Sequence, residues 1–187
     1  MLKDFKRRVR EKFSIGLKVN PNLITLVGLI ACLVAGIFFA WGELFVGAVF
    51  ILLGGFFDVL DGAVARECKK ETKFGAFIDS VSDRIGEGGI IIGAMWGGYT
   101  AFWIFPDWFI GALALLTSFM VSYARARAEC IGISMESVGI GERAERMVIV
   151  AMGAFLNVLN WAFVVLVIIS TITILQRIFH ARKVEVN

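Results

Sequence analysis

The sequence predicts an all-α integral membrane protein: a bundle of six transmembrane helices preceded by an N-terminal amphipathic helix on the membrane surface. Three observations carry that expectation. Of the 187 residues 58% are hydrophobic and only 2 are proline, at a mean hydropathy of +0.80, which is more apolar surface than a soluble domain of this length can hide. Apolar runs recur at about the length of roughly 20 residues that about 30 Å of hydrocarbon requires. The 19 Lys and Arg residues all fall on one side of the resulting topology. The length suggests one domain, 1–187, made of an interfacial helix (1–20), the bundle (21–180) and a cytoplasmic tail (181–187).

The elements follow in order. Residues 1–18 carry Lys3, Lys6, Arg7, Arg8, Arg10, Lys12 and Lys18, interleaved with Leu2, Phe5, Val9, Phe13 and Leu17 at mostly helical spacing, which describes a helix lying on an anionic membrane surface. The apolar stretch that follows is long, and Phe39-Ala40-Trp41 is a poor match to a small-residue cleavage site, so the segment is read as retained. The six spans are placed at 22–40, 43–66, 74–98, 105–128, 140–159 and 161–179. With the N-terminus inside, the basic residues occupy 1–21, 67–73, 129–139, the tail and the adjoining halves of the spans, while the opposite turns carry none. Trp41, Trp96, Trp103, Trp108 and Trp161 gather at those opposite ends, as an interfacial aromatic belt does. The expectation is a multi-pass protein of the cell membrane with both termini cytoplasmic. Its partner is the bilayer and not nucleic acid. Cys32, Cys68 and Cys130 have no CxxC spacing, and His180 sits in the basic C-terminal stretch, so neither residue type suggests a metal site.

Carboxylates inside this frame are the anomaly. Asp58 and Asp61 are three residues apart and Asp79 and Asp83 four apart, so each pair shares a helix face. The two helices are consecutive and antiparallel, and the deeper pair, Asp58 and Asp83, lies roughly 12–15 Å inside the loop at about 1.5 Å per residue. The four can therefore converge near the cytoplasmic face. Each intramembrane Asp costs at least about 2.5–3.5 kcal/mol uncompensated. Arg66 and Arg84 offset part of this, though Arg84 directly follows Asp83 and so starts from another helix face. The remaining means of holding the cluster are divalent cations, protonation or a water-filled cavity. Hard oxygen ligands suit Mg²⁺ or Mn²⁺, and four carboxylates can hold two ions. A structural ion-pair network and a cation or proton-coupled transporter are the alternatives. Against a pathway, all four acids cluster at one end, and the acidic series is read as stopping there. Gly62 and Gly75 flank the acids, where a missing Cβ lets a bulky ligand reach the backbone or lets helices pack closely.

These residues reproduce D-x2-D-G-x2-A-R-x8-G-x3-D-x3-D at Asp58, Asp61, Gly62, Ala65, Arg66, Gly75, Asp79 and Asp83. The pattern resembles the signature of the CDP-alcohol phosphatidyltransferase family. The resemblance extends to the six spans, the surface helix and the Pro21-Asn22-x-x-Thr25 lead-in to the first span, and so covers essentially the whole chain.

The resemblance implies an enzyme that displaces CMP from a CDP-linked lipid with the hydroxyl of an acceptor. It implies a metal site of Asp58, Asp61, Asp79 and Asp83, with Asp83 also the general base, and CDP-lipid contacts at Asn22, Thr25, Gly62, Arg66, Thr72 and Gly75. It also implies a homodimer. Arg125, Arg127, Arg143 and Arg146, at the cytoplasmic ends of the fourth and fifth spans, form a plausible cradle for an acceptor phosphate. Interfacial snorkelling accounts for any one of them equally well. Arg143 and Arg146 share a helix face, whereas Arg125 and Arg127, two apart, cannot both face one cavity. These segments look like the inositol-phosphate branch of the family, where a lysine is expected in place of Arg125. Inositol 1-phosphate is therefore the favoured acceptor and glycerol 3-phosphate its rival, and the lipid is phosphatidyl or archaetidyl.

Overall fold

A computed structural model of the chain describes residues 20–67 and 72–186. Every regular element among them is a helix: α1 (Pro21–Ala40), α2 (Leu44–Glu67), α3 (Lys73–Trp96), α4 (Phe109–Cys130), α5 (Arg143–Phe155) and α6 (Leu159–Val186). The expected surface helix, but for Asn20, lies outside the described residues, as do Cys68, Lys69 and Lys70.

Local chemistry sets the helix starts. The Asn20 side chain accepts from the Asn22 N–H at 3.2 Å, and Pro21 takes the first helical position, where its missing N–H is no loss. The Thr72 hydroxyl accepts from the Gly75 N–H at 2.9 Å and begins α3. The Glu145 carboxylate accepts from the Glu142 N–H at 2.8 Å and begins α5.

Four helices, α1, α2, α4 and α6, are long and apolar enough to cross a membrane. At 24 residues α3 has the length, but it carries Lys73, Asp79, Asp83, Arg84 and Glu87. With 13 residues, α5 reaches about 20 Å, short of the roughly 30 Å of hydrocarbon. It is shorter than the expected 140–159 span because Gly139, at φ +111°, breaks the backbone before it and Asn157, at φ +57°, turns the chain after it. Residues 97–108 are turns and irregular backbone, so the fourth helix begins at Phe109 and not near 105. The sixth runs on through most of the expected tail to Val186.

The helices close a ring in the order α1, α2, α5, α6, α4, α3 and back to α1. Although α2 and α3 are consecutive, α1 packs against both and stands between them. It can do so because its inner face is small. A Cβ at Gly36 would collide with the Gly89 carbonyl, and one at Gly93 would collide with the Gly36 carbonyl, so α1 and α3 touch backbone to backbone. Cys32 fills the crevice between Gly54 of α2, whose Cβ would fall 2.6 Å from Cys32 Sγ, and Gly86 of α3, whose Cβ would fall 2.9 Å from Cys32 Cβ. That is a packing role for this buried thiol.

One end of the ring is sealed by Phe39, Ala48, Ile90, Ala94, Val150, Phe163 and Leu166, all buried in one cluster. The outward faces carry exposed large apolar side chains, among them Ile30, Leu52, Ile92, Ile168 and Ile172, an arrangement solvated by lipid and penalised by water. All five tryptophans lie at the sealed end or its loop and are exposed. Among the described residues every Lys and Arg side chain lies at the other end, while the acids Glu43 and Asp107 sit with the tryptophans.

Two glycine substitutions should act with opposite signs. Ala in place of helical Gly gains about 1 kcal/mol of propensity. At Gly93 the methyl lands on the Gly36 backbone, and overpacking of about 1–3 kcal/mol wins, so Gly93→Ala lowers the Tm measured in detergent. At Gly55, with nothing within 4 Å, Gly55→Ala leaves the Tm unchanged or raises it. Wild-type stability in Gly93→Ala would refute the close approach of α1 and α3.

Candidate active site

Asp58 on α2 and Asp79 and Asp83 on α3 each bring a carboxylate oxygen within 4.8 Å of the other two. The two helices present these acids across the gap that α1 keeps open. Partly buried like charges at this spacing repel, and cations from elsewhere in the chain offset them. Arg143 Nη1 of α5 stands 3.1 Å from Asp58 Oδ1 and 2.7 Å from Asp83 Oδ1. Arg84 leaves α3 on another face, yet its long stem folds back. Its Nη1 donates to Ser80 O at 3.0 Å and lies 3.3 Å from Asp83 Oδ2. Asp79 Oδ1 is buried and accepts no hydrogen bond from the described residues. Three convergent hard oxygen donors, with a buried unsatisfied oxygen on Asp79, fit a divalent cation of the Mg²⁺ or Mn²⁺ kind.

Asp61, the fourth acid, stands outside that three-oxygen group. It is 7% exposed, and its Oδ2 accepts from the Thr25 hydroxyl at 2.5 Å. Thr25 thus ties α1 to the acidic face of α2.

Two cavities flank the acids. The first, of about 300 Å³, is bounded by Asp61 and Asp79 together with Asn22, Thr25, Gly62, Arg66, Thr72 and Gly75, the full set expected to contact a CDP-lipid. Its glycines leave the wall open. A Cβ at Gly62 would meet only the flexible end of Arg66, at 3.3 Å, and one at Gly75 would crowd Thr72 Oγ1 and Asn22 Oδ1. The second cavity, of about 440 Å³, has Asp58, Asp83 and Arg84 on one side and Arg125, Arg143, Arg146 and Arg177 on the other. A narrow void touching Asp58, Asp61, Asp83 and Arg143 lies between them. The carboxylates therefore sit where two ligands, one from each cavity, would meet.

The four arginines singled out by sequence take different places. Arg143 lies at the acids. Arg125 borders the second cavity, where its Nε donates to Glu129 Oε1 at 2.9 Å and its Nη1 is 3.7 Å from Glu142. Arg127 is exposed and outside that cavity. Arg146 is 1% exposed and paired through two nitrogens with Glu87, at 2.8 Å each.

Sequence reasoning missed two residues. Glu87 continues the acidic face one turn beyond Asp83, and the i+4 spacing from Asp79 through Asp83 to Glu87 was the available signal. Arg177, 3% exposed on α6, donates to Val121 O at 2.5 Å and Val138 O at 3.0 Å, which fixes it in the cavity floor. Its sequence position looked like one more basic residue at a membrane face, and no local pattern sets it apart.

Comparison with known proteins agrees with this geometry. The CDP-alcohol phosphatidyltransferase family matches residues 18–185. An archaetidylinositol phosphate synthase of Methanothermobacter thermautotrophicus is 40% identical over 189 residues, covering 96% of this chain and 93% of that protein. One from Pyrococcus horikoshii is 35% identical over 167 residues, covering 89% and 86%. The crystal structure of Mycobacterium tuberculosis phosphatidylinositol phosphate synthase with CDP-DAG bound superposes with a TM-score of 0.77 at 33% identity, covering 92% of this chain and 90% of that one. The same enzyme with manganese and citrate gives 0.77 at 34%, covering 92% and 86%. The match spans nearly the whole sequence and includes the motif, and the chain belongs to the CDP-alcohol phosphatidyltransferase family.

Proposed function

We propose that this protein transfers the phosphatidyl or archaetidyl group of a CDP-activated lipid to inositol 1-phosphate and releases CMP. The observation that carries the reading is a carboxylate cluster shared by two cavities, one open-walled and glycine-lined, the other arginine-lined. Relatives whose names specify inositol phosphate lipids support the choice of acceptor.

In this reading Asn22, Thr25, Gly62, Arg66, Thr72 and Gly75 hold the cytidine and its phosphate in the first cavity. The acceptor phosphate binds in the second, against Arg143 and Arg125 with Arg177 beneath, where planar guanidinium groups suit phosphate oxygens. Arg127, exposed and outside the cavity, drops out of that cradle, whereas Arg146 borders the cavity with its Nε and Nη2 on Glu87 and its Nη1 on Gly141 O. The acceptor hydroxyl oxygen attacks the lipid-side phosphorus, the phosphoanhydride bond to CMP breaks, and Asp83 takes the hydroxyl proton. Asp83 suits that task because it borders the acceptor cavity. Asp58, Asp79 and Asp83, joined by Asp61 at the border of the first cavity, would hold two Mg²⁺ or Mn²⁺ ions, which would supply Lewis-acid neutralisation of the pyrophosphate.

The setting we propose is a single membrane domain of six spans, with residues 1–20 as a surface helix and the site and both termini at the cytoplasmic face. The protein works as a homodimer. The separation of tryptophans from lysines and arginines supports the orientation.

Purified protein given a CDP-lipid and inositol 1-phosphate should release CMP with Mg²⁺ or Mn²⁺ and stop when the metal is chelated. In an acceptor panel, product from glycerol 3-phosphate alone would overturn the acceptor assignment and leave the site intact. Asp83→Asn should lower kcat by at least about a thousandfold while CDP-lipid binding, measured separately, stays near wild type. Arg143→Gln should raise the acceptor KM more than the CDP-lipid KM. Equal rises in both would remove Arg143 from the acceptor site.

A further inference from the structure

Along α3, Asp79, Asp83 and Glu87 share one face, each about 6 Å deeper than the one before. Asp79 and Asp83 border the cavities. Glu87 borders neither and is 1% exposed. Its oxygens are both taken by Arg146 of α5: Nε reaches Oε1 and Nη2 reaches Oε2, each at 2.8 Å. Arg146 is also 1% exposed, and its Nη1 donates to Gly141 O at 2.7 Å, in the segment that leads into α5. One turn before Arg146 on the same helix is Arg143, held between Asp58 and Asp83.

Stability alone gives little reason for this pair. The Coulomb gain of a buried ion pair is largely cancelled by desolvation, and apolar residues of similar volume serve as well or better. Geometry gives a reason. A two-pronged guanidinium–carboxylate contact fixes both the distance and the rotation between its helices, as an apolar contact does not. The helices it joins, α3 and α5, are not neighbours in the ring, so the pair spans the interior. The third bond, to Gly141, ties the lead-in of α5 to the same anchor.

We propose that Glu87 and Arg146 are positioning residues for the transfer reaction. They set the register of α5 against α3 and thereby hold Arg143 at the acceptor side of the carboxylates. This rests on the acceptor role of Arg143 given above.

The test is steady-state kinetics of the purified full-length protein carrying Glu87→Gln, with each substrate varied in turn. The acceptor KM should rise by about tenfold or more while the CDP-lipid KM stays within about twofold. A purely structural role lowers the amount of folded enzyme, which reduces the apparent kcat and moves neither KM. A second variant, Glu87→Leu with Arg146→Met, replaces the pair by apolar side chains. It should keep a wild-type Tm and show the same selective rise. A wild-type acceptor KM in either folded variant overturns the proposal. So does the failure of both to fold, since the pair is then a structural lock. Absence of CMP release from the unmodified protein with every acceptor is a different result, and it rejects the functional reading itself.

Discussion

Because Gly36, Gly89 and Gly93 carry no side chains, α1 lies backbone against backbone on α3 while Cys32 seats it between α2 and α3. That wedge decides the rest of the molecule. Two consecutive antiparallel helices would ordinarily pack on each other, and their inner acids would be crushed together or turned outward. With α1 beside both, α2 and α3 face across a gap in which Asp58, Asp79 and Asp83 approach within 4.8 Å without closing the cavities on either side. The apolar plug of Phe39, Ile90, Val150 and Phe163 closes only the opposite end. An open polar end and a sealed apolar end follow from one packing choice.

Cations complete the gap. Several carboxylates in a low-dielectric interior need compensation, and the chain supplies it by bringing Arg143 to Asp58 and Asp83 and Arg146 to Glu87. Arg143 and Arg146 come from the first turn of the short helix α5, which is thus spent on neutralising α2 and α3, while Val150 and Ala154 further along join the apolar plug. That neutralisation is uneven. Asp79 keeps a buried oxygen with no partner among the described residues, and Asp79 belongs to the cluster best suited to a divalent ion.

Much of this was legible in the sequence where the information was local. The i+3 and i+4 spacings of Asp58, Asp61, Asp79 and Asp83 put them on inner faces, and residues named from the motif line one cavity together. Long apolar runs located α1, α2, α4 and α6 to within a few residues at most boundaries. What escaped depended on which helices are neighbours. Nothing in the spacing of Arg143 and Arg146 says that one meets Asp83 and the other Glu87, because that follows from where α5 sits opposite α3. Arg177 is similar: its partners Val121 and Val138 lie far away in sequence. The turn of Asp61 toward Thr25 depends on α1 and not on the period of α2. The length of α5 was missed for a different reason. Hydropathy counts apolar residues and does not register the backbone breaks at Gly139 and Asn157.

In the proposed site Asp58, Asp79 and Asp83 hold a divalent cation at the junction of the two cavities. Crystals of the protein grown with Mn²⁺ test it directly through anomalous scattering. The expected result is a peak at about 2.1 Å from oxygens of all three carboxylates, with Arg143 displaced from between Asp58 and Asp83. A peak that avoids these residues, or none in crystals saturated with Mn²⁺, would contradict it.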